Sequence, residues 1–288
     1  MERFYEIAGV RFRVSGPKHE MYADDGILSL YRAEPGSWGH SFQCTYCDTV
    51  PEPEGELVFS DPALMVYQNR NIYLTYFGSA SKSLDQAYMV VRREDDRSDV
   101  RVKRNPHVAA ISPKTVLKAM EMEHQLTVHS TLLFHSAFIE YQGRAILFTA
   151  PSGIGKSTQA RLWCEHRGAK LINGDRSAVK VTAEGVLACG VPFAGSSDVR
   201  QNVTLPLAAI VYIAQAPRTE VFRLTGVRAF KRIWEGCSLQ LWNREDVERA
   251  SQTAMDVAKQ VPVYYFPCTP DESAVQILQE QLLKEQVL

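Results

Sequence analysis

AILFTAPSGIGKST, residues 145–158, runs from an apolar stretch into a series of small residues that ends in a lysine and two hydroxyls. Residues 145–149 have the composition of a buried strand, and a helix is expected from the lysine to about His166, with Gly168 ending it. Small residues between a strand and a helix let backbone N–H groups and the helix dipole face an anion. The segment therefore predicts a site for the phosphates of a nucleoside triphosphate, formed by Ala150, Pro151, Ser152, Gly153, Ile154, Gly155, Lys156, Ser157 and Thr158.

The segment fits the Walker A pattern, with Ala150 where glycine is commoner. Lys156 supplies a positive charge for the β and γ phosphates, and Ser157 offers a hydroxyl ligand to Mg²⁺. We therefore expect ATP and Mg²⁺ as cofactors. A chance glycine-rich turn is the alternative, and the strand-to-helix context argues against it. A guanine-specific N-K-x-D box is absent, and the apolar run 208–214 ends at Gln215 rather than at an aspartate. The first fact disfavours a GTPase, and the second disfavours a motor ATPase.

Two parts of the chain differ in their strand and helix patterns. Residues 1–105 predict a β-rich domain with strands near 5–14, 56–59, 63–67, 72–77, 87–93 and 99–103. Ser112-Pro113 is a helix start, and one helix is expected to about Thr127. Residues 106–288 then predict an α/β domain. Its further strands are expected near 132–140, 170–173, 178–181, 186–189, 208–214 and 263–266, and its helices near 227–233, 245–259 and 271–283.

Composition excludes several classes of protein. The formal net charge is -1, so no global charge indicates nucleic acid or a membrane as partner. Residues 1–14 lack the apolar run of a signal peptide, and no stretch approaches the roughly 18 apolar residues of a membrane span, so a cytoplasmic location is expected. Cys44 and Cys47 form a C-x-x-C pair without a second half-site, and loop cysteines without a metal or redox role are the favoured interpretation.

Several further segments stand out around the loop: Phe134-His135-Ser136, Gly143, Asn173-Gly174-Asp175-Arg176, Gly190-Val191-Pro192-Phe193-Ala194-Gly195 and Asn202. Together with the loop, they resemble the HPr kinase family, which has the phosphoenolpyruvate-carboxykinase-like nucleotide fold. The resemblance covers roughly residues 132–217, with a weaker match towards the C-terminus. It implies a mixed-sheet P-loop kinase domain of HPr kinase/PEP carboxykinase-like type. Some members of that family lie in gene clusters for modified peptides and phosphorylate a serine of a precursor peptide. Residues 1–105 resemble no HPr kinase domain.

The resemblance and the residues together suggest a catalytic set. Asp175 follows a predicted strand next to the loop helix, and is the candidate general base or second metal ligand; a surface turn aspartate is the alternative. His135 matches a family histidine near the catalytic aspartate, and Arg200 matches a family basic residue that could neutralise transition-state charge, as could Arg176. A core histidine and surface arginines are the alternatives. The family usually has two aspartates, and here Gly174 replaces the first.

These observations predict a Mg²⁺- and ATP-dependent kinase that phosphorylates a hydroxyl, most simply a serine of a peptide or protein. The β-rich domain is expected to capture that substrate, and one hypothesis is addition of the peptide to an open sheet edge. It predicts that residues 106–288 alone keep nucleotide binding and lose peptide binding. A small-molecule kinase and a non-catalytic ATP-sensing module remain as alternatives. The sequence leaves the acceptor, any reverse dephosphorylation and the oligomeric state open.

Overall fold

The computed structural model describes residues 1–78, 84–105, 107 and 110–288, and gives only the backbone of Ser196. The chain forms two compact units, Met1–Gln125 and Leu126–Leu288. The sequence prediction divides the chain after residue 105 instead, and the residue that follows this predicted boundary lies outside the described part. Residues 110–125 belong with the first unit because Ile111 N–H donates to the Glu20 carbonyl at 2.8 Å, and Thr75 Oγ1 donates to Glu121 Oε1 at 2.7 Å.

The first unit is built on one sheet of nine strands in the order β3-β1-β2-β4-β9-β8-β7-β6-β5. Its strands are β1 (Glu2–Ile7), β2 (Val10–Ser15), β3 (Arg32–Ala33), β4 (His40–Cys47), β5 (Glu56–Ser60), β6 (Leu64–Asn69), β7 (Ile72–Phe77), β8 (Met89–Arg93) and β9 (Arg97–Lys103). β4 runs parallel to both β2 and β9, and the other pairs are antiparallel, so the sheet is mixed. The strands predicted near 87–93 and 99–103 are confirmed as β8 and β9, which pair as an antiparallel hairpin.

Two predicted elements of this unit differ from the structure. The run 5–14 is two strands of a hairpin, because Ala8 and Gly9 both adopt positive φ angles and turn the chain. The single helix expected from Pro113 to about Thr127 is two short helices, α1 (Pro113–Ala119) and α2 (Met122–Thr127). Glu121 separates them at a φ of 46°, outside the right-handed helical region. The predicted cap is confirmed, since the Ser112 side chain accepts from Thr115 N–H at 3.1 Å.

Cys44 and Cys47 lie on β4 and not in a loop, which corrects the sequence interpretation. Their spacing of three residues places them on opposite faces of the strand, because strand side chains alternate. Cys44 is fully buried, and burial raises the pKa of its thiol to about 12. Burial also raises the pKa of the Cys47 thiol. Thiols with raised pKa values on opposite faces are poor candidates for a shared metal or disulfide site.

A buried polar network in the first unit predicts acid sensitivity. His40 is 3% exposed and bonds to Ser98 Oγ at 2.9 Å; burial, with the charges of His124 and Arg93, lowers its pKa to about 4. In the unfolded chain histidine protonates near pH 6.5, whereas folded His40 stays neutral down to about pH 4. The contribution of His40 to the free energy of unfolding is therefore fully present above pH 6.5 and is lost as the pH falls towards 4. We expect the free energy of unfolding to fall by about 3 kcal/mol over this window from His40 alone.

Urea titrations at pH 7 and pH 4.5 measure this loss, and a His40→Gln variant is the comparison. Its amide keeps a hydrogen-bonding group near Ser98 but does not titrate. An equal loss of stability in the two proteins over this pH range would show that His40 is not the group responsible.

The second unit contains nine further strands and four helices in its described part. The strands are β10 (Thr131–Tyr141), β11 (Arg144–Thr149), β12 (Lys170–Asn173), β13 (Arg176–Thr182), β14 (Gly185–Gly190), β15 (Thr204–Gln215), β16 (Phe222–Leu224), β17 (Cys237–Ser238) and β18 (Val263–Cys268). The helices are α3 (Lys156–Arg167), α4 (Gly226–Gly236), α5 (Arg244–Gln260) and α6 (Glu272–Lys284). The predicted α/β character is confirmed, and the short strands β16 and β17 were not predicted.

The sheet of the second unit has the order β11-β10-β13-β14-β15-β18-β16, with β12 and β17 also paired to β10. β15 runs parallel to both β11 and β18, so these three strands end at one edge, at Thr149, Gln215 and Cys268. The other main pairings are antiparallel, so this sheet is mixed as well. The carboxyl edge of parallel strands is where open α/β sheets bind ligands.

Alternation along β11 shows how the sheet is covered. Ile146 and Phe148 belong to a core shared with α3 and α6, whereas Leu147 belongs to a core shared with α4 and α5. Helices therefore pack against both faces, as expected for a strand that is apolar throughout. No helix within the described residues is long and apolar enough to cross a membrane.

Candidate nucleotide and phosphoryl-transfer site

The segment between β11 and α3 forms a loop whose conformation depends on glycine. Gly153 has a φ of 80° and Gly155 a φ of 127°, values that residues with a side chain rarely adopt. A Cβ added at either position would meet nothing within 4 Å, so one face of the loop is open. α3 begins at Lys156, and its first N–H groups have no partner within the helix. The predicted strand–loop–helix arrangement is present, and its geometry suits an anion at the helix N-terminus.

Lys156 lies across the start of this loop. Its ammonium donates to the Ala150 carbonyl at 3.0 Å and to the Pro151 carbonyl at 3.4 Å, and the residue is 7% exposed. Burial lowers the pKa of Lys156, and the charge of Asp175 opposes that shift. The lysine and the candidate base are therefore within electrostatic range of each other.

Asp175 is held by a turn that Asn173 organises. Asn173 is fully buried, and its Oδ1 accepts from the backbone N–H groups of Asp175 and Arg176, each at 3.2 Å. Its Nδ2 donates to the Val191 carbonyl at 2.7 Å. The sequence interpretation treated Asn173 only as part of a turn and of the family resemblance. Its position two residues before the aspartate was the available signal, because asparagine side chains bond to backbone N–H groups two residues on.

His135, on β10, lies close to Asp175, which is in the turn between β12 and β13. His135 Nε2 lies 3.6 Å from Asp175 Oδ1, each side chain is 34% exposed, and the Ser136 N–H donates to the Asp175 carbonyl at 3.0 Å. Burial and the charge of Lys156 lower the pKa of His135, which Asp175 partly opposes. A lowered pKa keeps the imidazole neutral at neutral pH. The structure therefore brings together His135, Asp175 and Lys156 from three separate segments.

The two candidate arginines occupy different places. Arg176 Nε lies 3.7 Å from Asp175 Oδ2, and its guanidinium stacks on the Phe193 ring at 5.4 Å. Arg200 forms an isolated antiparallel β-bridge with Asn173, and this backbone pairing places it next to the site. Its guanidinium, however, pairs with Asp198. Arg176 is thus the arginine in contact with the candidate base.

Ser157 and Asp175 are the predicted Mg²⁺ ligands. Ser157 is exposed in the first turn of α3, and Asp175 is one-third exposed, so both oxygens are accessible. Within the described part of the chain, no three His, Cys, Asp or Glu side chains cluster as metal ligands. Mg²⁺ at triphosphate sites needs only one or two protein oxygens beside the phosphates. A serine and one carboxylate therefore fit such an ion.

Gly174 lies under the short 3-10 turn Gly195–Ser197. A Cβ on Gly174 would lie 2.6 Å from Cβ of Ser197, and a Cβ on Gly195 would lie 2.8 Å from Cγ of Asp175. The turn thus packs directly onto Gly174 and Asp175, and leaves no room for a second carboxylate there.

This packing predicts the effect of Gly174→Ala. The added methyl displaces Ser197, and we expect a loss of about 1–2 kcal/mol in the free energy of unfolding, typical of overpacking. Urea titration measures the loss. A Ser197→Gly change in the same protein removes the clashing atoms and is expected to restore most of the stability. A loss that persists in the double variant would place its origin elsewhere than in this contact.

A family model described as "SynChlorMet cassette protein ScmC" matches residues 114–272, more than half of the chain. The chain belongs to the ScmC family. The ScmC match includes the whole glycine loop as well as His135, Asp175 and Arg200, so every candidate site residue lies within the segment that defines the family. Strands β1 to β9 lie outside it.

Other comparisons add little to the ScmC assignment. No curated protein matches the chain. Among solved structures, the chain is similar to the Hpr(Ser) kinase/phosphatase from Coxiella burnetii, with 14% identity, 54% of this chain and 98% of that chain covered, and a TM-score of 0.34. A TM-score of this size carries no argument about fold or function. The resemblance to HPr kinases noted in the sequence therefore stays a prediction.

Proposed function

We propose that this protein is a Mg²⁺-dependent kinase that transfers the γ-phosphoryl group of ATP to a hydroxyl. The observation that carries the proposal is the convergence of Lys156, at the start of an open glycine loop, with the His135–Asp175 pair. Phosphoryl transfer requires positioned phosphates, a metal ion and a group that takes the proton of the acceptor. The site offers a candidate for each requirement.

The triphosphate fits the loop because its glycines leave one face open and the N-terminus of α3 begins there. Lys156 would pair with the phosphates, and Ser157 would hold Mg²⁺, with the Asp175 carboxylate as its alternative second ligand. When bound, ATP would supply the phosphoryl group, and Mg²⁺ would neutralise charge on its phosphates.

Asp175 is the proposed general base. The acceptor oxygen forms a bond to phosphorus as the bond to ADP breaks, and the hydroxyl proton passes to the Asp175 carboxylate. Neutral His135, 3.6 Å away, positions that carboxylate. Arg176 and Arg200 are the proposed groups that neutralise the charge developing in the transition state.

The proposed acceptor is a serine of a peptide or protein, a substrate class that the resemblance to HPr kinases implies. The first unit would capture it, since β5 ends the nine-stranded sheet and offers its outer edge to an extended peptide. We propose a cytoplasmic location for this reaction. A small alcohol is the competing acceptor for the same machinery.

Mass spectrometry of the acceptor after incubation with ATP and Mg²⁺ tests the proposal. Serine peptides and a panel of small alcohols are offered in parallel, with matched peptides in which alanine replaces each serine. A gain of one phosphate on the serine peptide supports the proposed acceptor, and a gain on an alcohol alone supports the small-molecule alternative. ATP binding without transfer to any acceptor would contradict the kinase.

One observation favours a second candidate, a module that binds ATP without catalysis. The turn over Gly174 leaves a single carboxylate where the HPr kinase family usually has two. A sensing module predicts nucleotide binding, no phosphoryl transfer and no change on Asp175→Asn.

A further inference from the structure

A cleft of about 350 Å³ continues from the glycine loop along the carboxyl edge of β15 and β18. Apolar side chains line part of it, and two carboxamides, Gln159 and Gln215, supply polar groups. The described residues that line it include no acidic side chain. They are Gly153, Ile154, Gly155, Thr158, Gln159, Ile213, Gln215, Ala216, Cys268, Thr269 and Pro270.

The orientation of the Gln159 amide follows from its neighbours. Gln159 lies in the first turn of α3 and is 2% exposed. Its Nε2 donates to the Thr269 carbonyl and to Cys268 Sγ, each at 3.2 Å. A carbonyl only accepts hydrogen bonds, so the nitrogen faces Thr269 and the oxygen must face away.

Gln159 Oε1 is buried and has no hydrogen-bond partner within the described residues. Buried acceptors in folded proteins normally have a donor, and an unsatisfied one is costly. Gln159 is one of the residues that line the cleft, and terminal amide torsions are soft, so this oxygen can turn towards a molecule bound there. The cleft therefore holds an acceptor that a bound molecule can satisfy.

We propose that this cleft binds the base of the nucleotide and that Gln159 Oε1 accepts a hydrogen bond from an exocyclic amine of that base. The inference rests on the proposed function, which places the triphosphate on the adjoining loop. Ile154, Ile213 and Pro270 provide apolar contacts for a flat ring. A base with an oxo group in place of the amine would set two acceptors against each other. The acceptor therefore favours adenine over hypoxanthine, and cytosine over uracil, because in each pair only the first base carries an amine where the second carries an oxo group.

Two pairs of nucleotides differ only by amine and oxo groups and test this directly. Calorimetry with Mg²⁺ compares ATP with ITP, and CTP with UTP, and tripolyphosphate serves as a probe without a base. We expect ATP to bind at least about tenfold more tightly than ITP, the size expected for one buried hydrogen bond and its lost partner, with CTP similarly above UTP.

Gln159→Met keeps the length of the side chain and removes the acceptor, so the ATP and ITP affinities are expected to become equal. Gln279→Met is the matched control, because Gln279 is a half-buried glutamine on α6 that donates to the Tyr141 hydroxyl at 2.9 Å, away from the cleft. It should keep the discrimination of the unaltered protein. Tripolyphosphate binding shows that each variant retains a folded loop.

The outcomes separate the two proposals. Tight tripolyphosphate binding with equal affinities for ATP and ITP in the unaltered protein overturns the role of Gln159 and leaves the phosphate site standing. Discrimination that survives in Gln159→Met also overturns it. If neither tripolyphosphate nor any nucleotide binds, the proposed function fails and the base site fails with it.

Discussion

Lys156→Ala is expected to weaken binding of ATP with Mg²⁺ by at least about 100-fold, the loss that follows when one partner of a buried charge pair is removed. Lys156 is 7% exposed, and its ammonium lies across the start of the glycine loop, so water replaces it poorly. Lys156→Ala removes the positively charged side chain of the loop, residues 150–158, which would face the phosphates. Isothermal calorimetry measures the change.

Lys170→Ala is the matched control. Its side chain is 77% exposed, and its ammonium pairs with Glu140 at 3.7 Å; a surface pair of this kind contributes little. We expect unchanged ATP affinity in that variant. Because the Lys156 ammonium also bonds to loop carbonyls, thermal unfolding of both variants must accompany the titrations. A folded Lys156→Ala protein with unaltered ATP affinity would remove this loop as the triphosphate site.

The glycine loop shows which features of a fold are visible in a sequence. Its strand, turn and helix are local, and each has its own signal: an apolar run, small residues, then helical spacing that ends at Gly168. The structure has β11, the loop and α3 in that order, with Gly168 in the left-handed conformation at the helix end. Local signals also predicted most strands of both units to within a few residues.

What the sequence could not show depends on distant contacts. β4 was missed although Phe42, Cys44 and Tyr46 alternate with polar residues, and its place between β2 and β9 comes from parallel pairing with segments far along the chain. The break between α1 and α2 was missed because Glu121 is an ordinary helix former. Its left-handed backbone is accompanied by buried contacts to Thr75 and Arg93 that no local pattern reveals.

The candidate site was predictable only in part for the same reason. His135 and Asp175 were singled out through a family resemblance, and their 3.6 Å approach results from the pairing of β10 with β13. The contact between Gly174 and Ser197 joins residues from separate segments and has no sequence signal of its own. Gln159 carries no motif, and only the ends of β15 and β18 make it part of a cleft.

Asp175→Asn is the second change with a large expected effect, and it separates catalysis from binding. If Asp175 takes the proton of the acceptor, the amide cannot replace it, and we expect kcat to fall about 1000-fold, within the usual contribution of a general base. The Asn173 turn holds the backbone of residue 175 through its N–H, so the variant should keep the loop conformation. ATP affinity should change far less than kcat.

Phosphate transfer measured by mass spectrometry, with ATP affinity measured in parallel, distinguishes the possible roles of this carboxylate. Asp256→Asn on α5 is the control, since Asp256 pairs with Gln252 and Lys259 on its own helix. The rate of phosphate transfer and the ATP affinity should both stay unchanged in that variant. A parallel loss of Mg²⁺-dependent ATP affinity in Asp175→Asn would assign Asp175 to the metal rather than to the proton. Full transfer activity in Asp175→Asn would contradict both roles. Residue 174 is glycine and packs against Ser197, so the position next to Asp175 in the chain offers no second carboxylate.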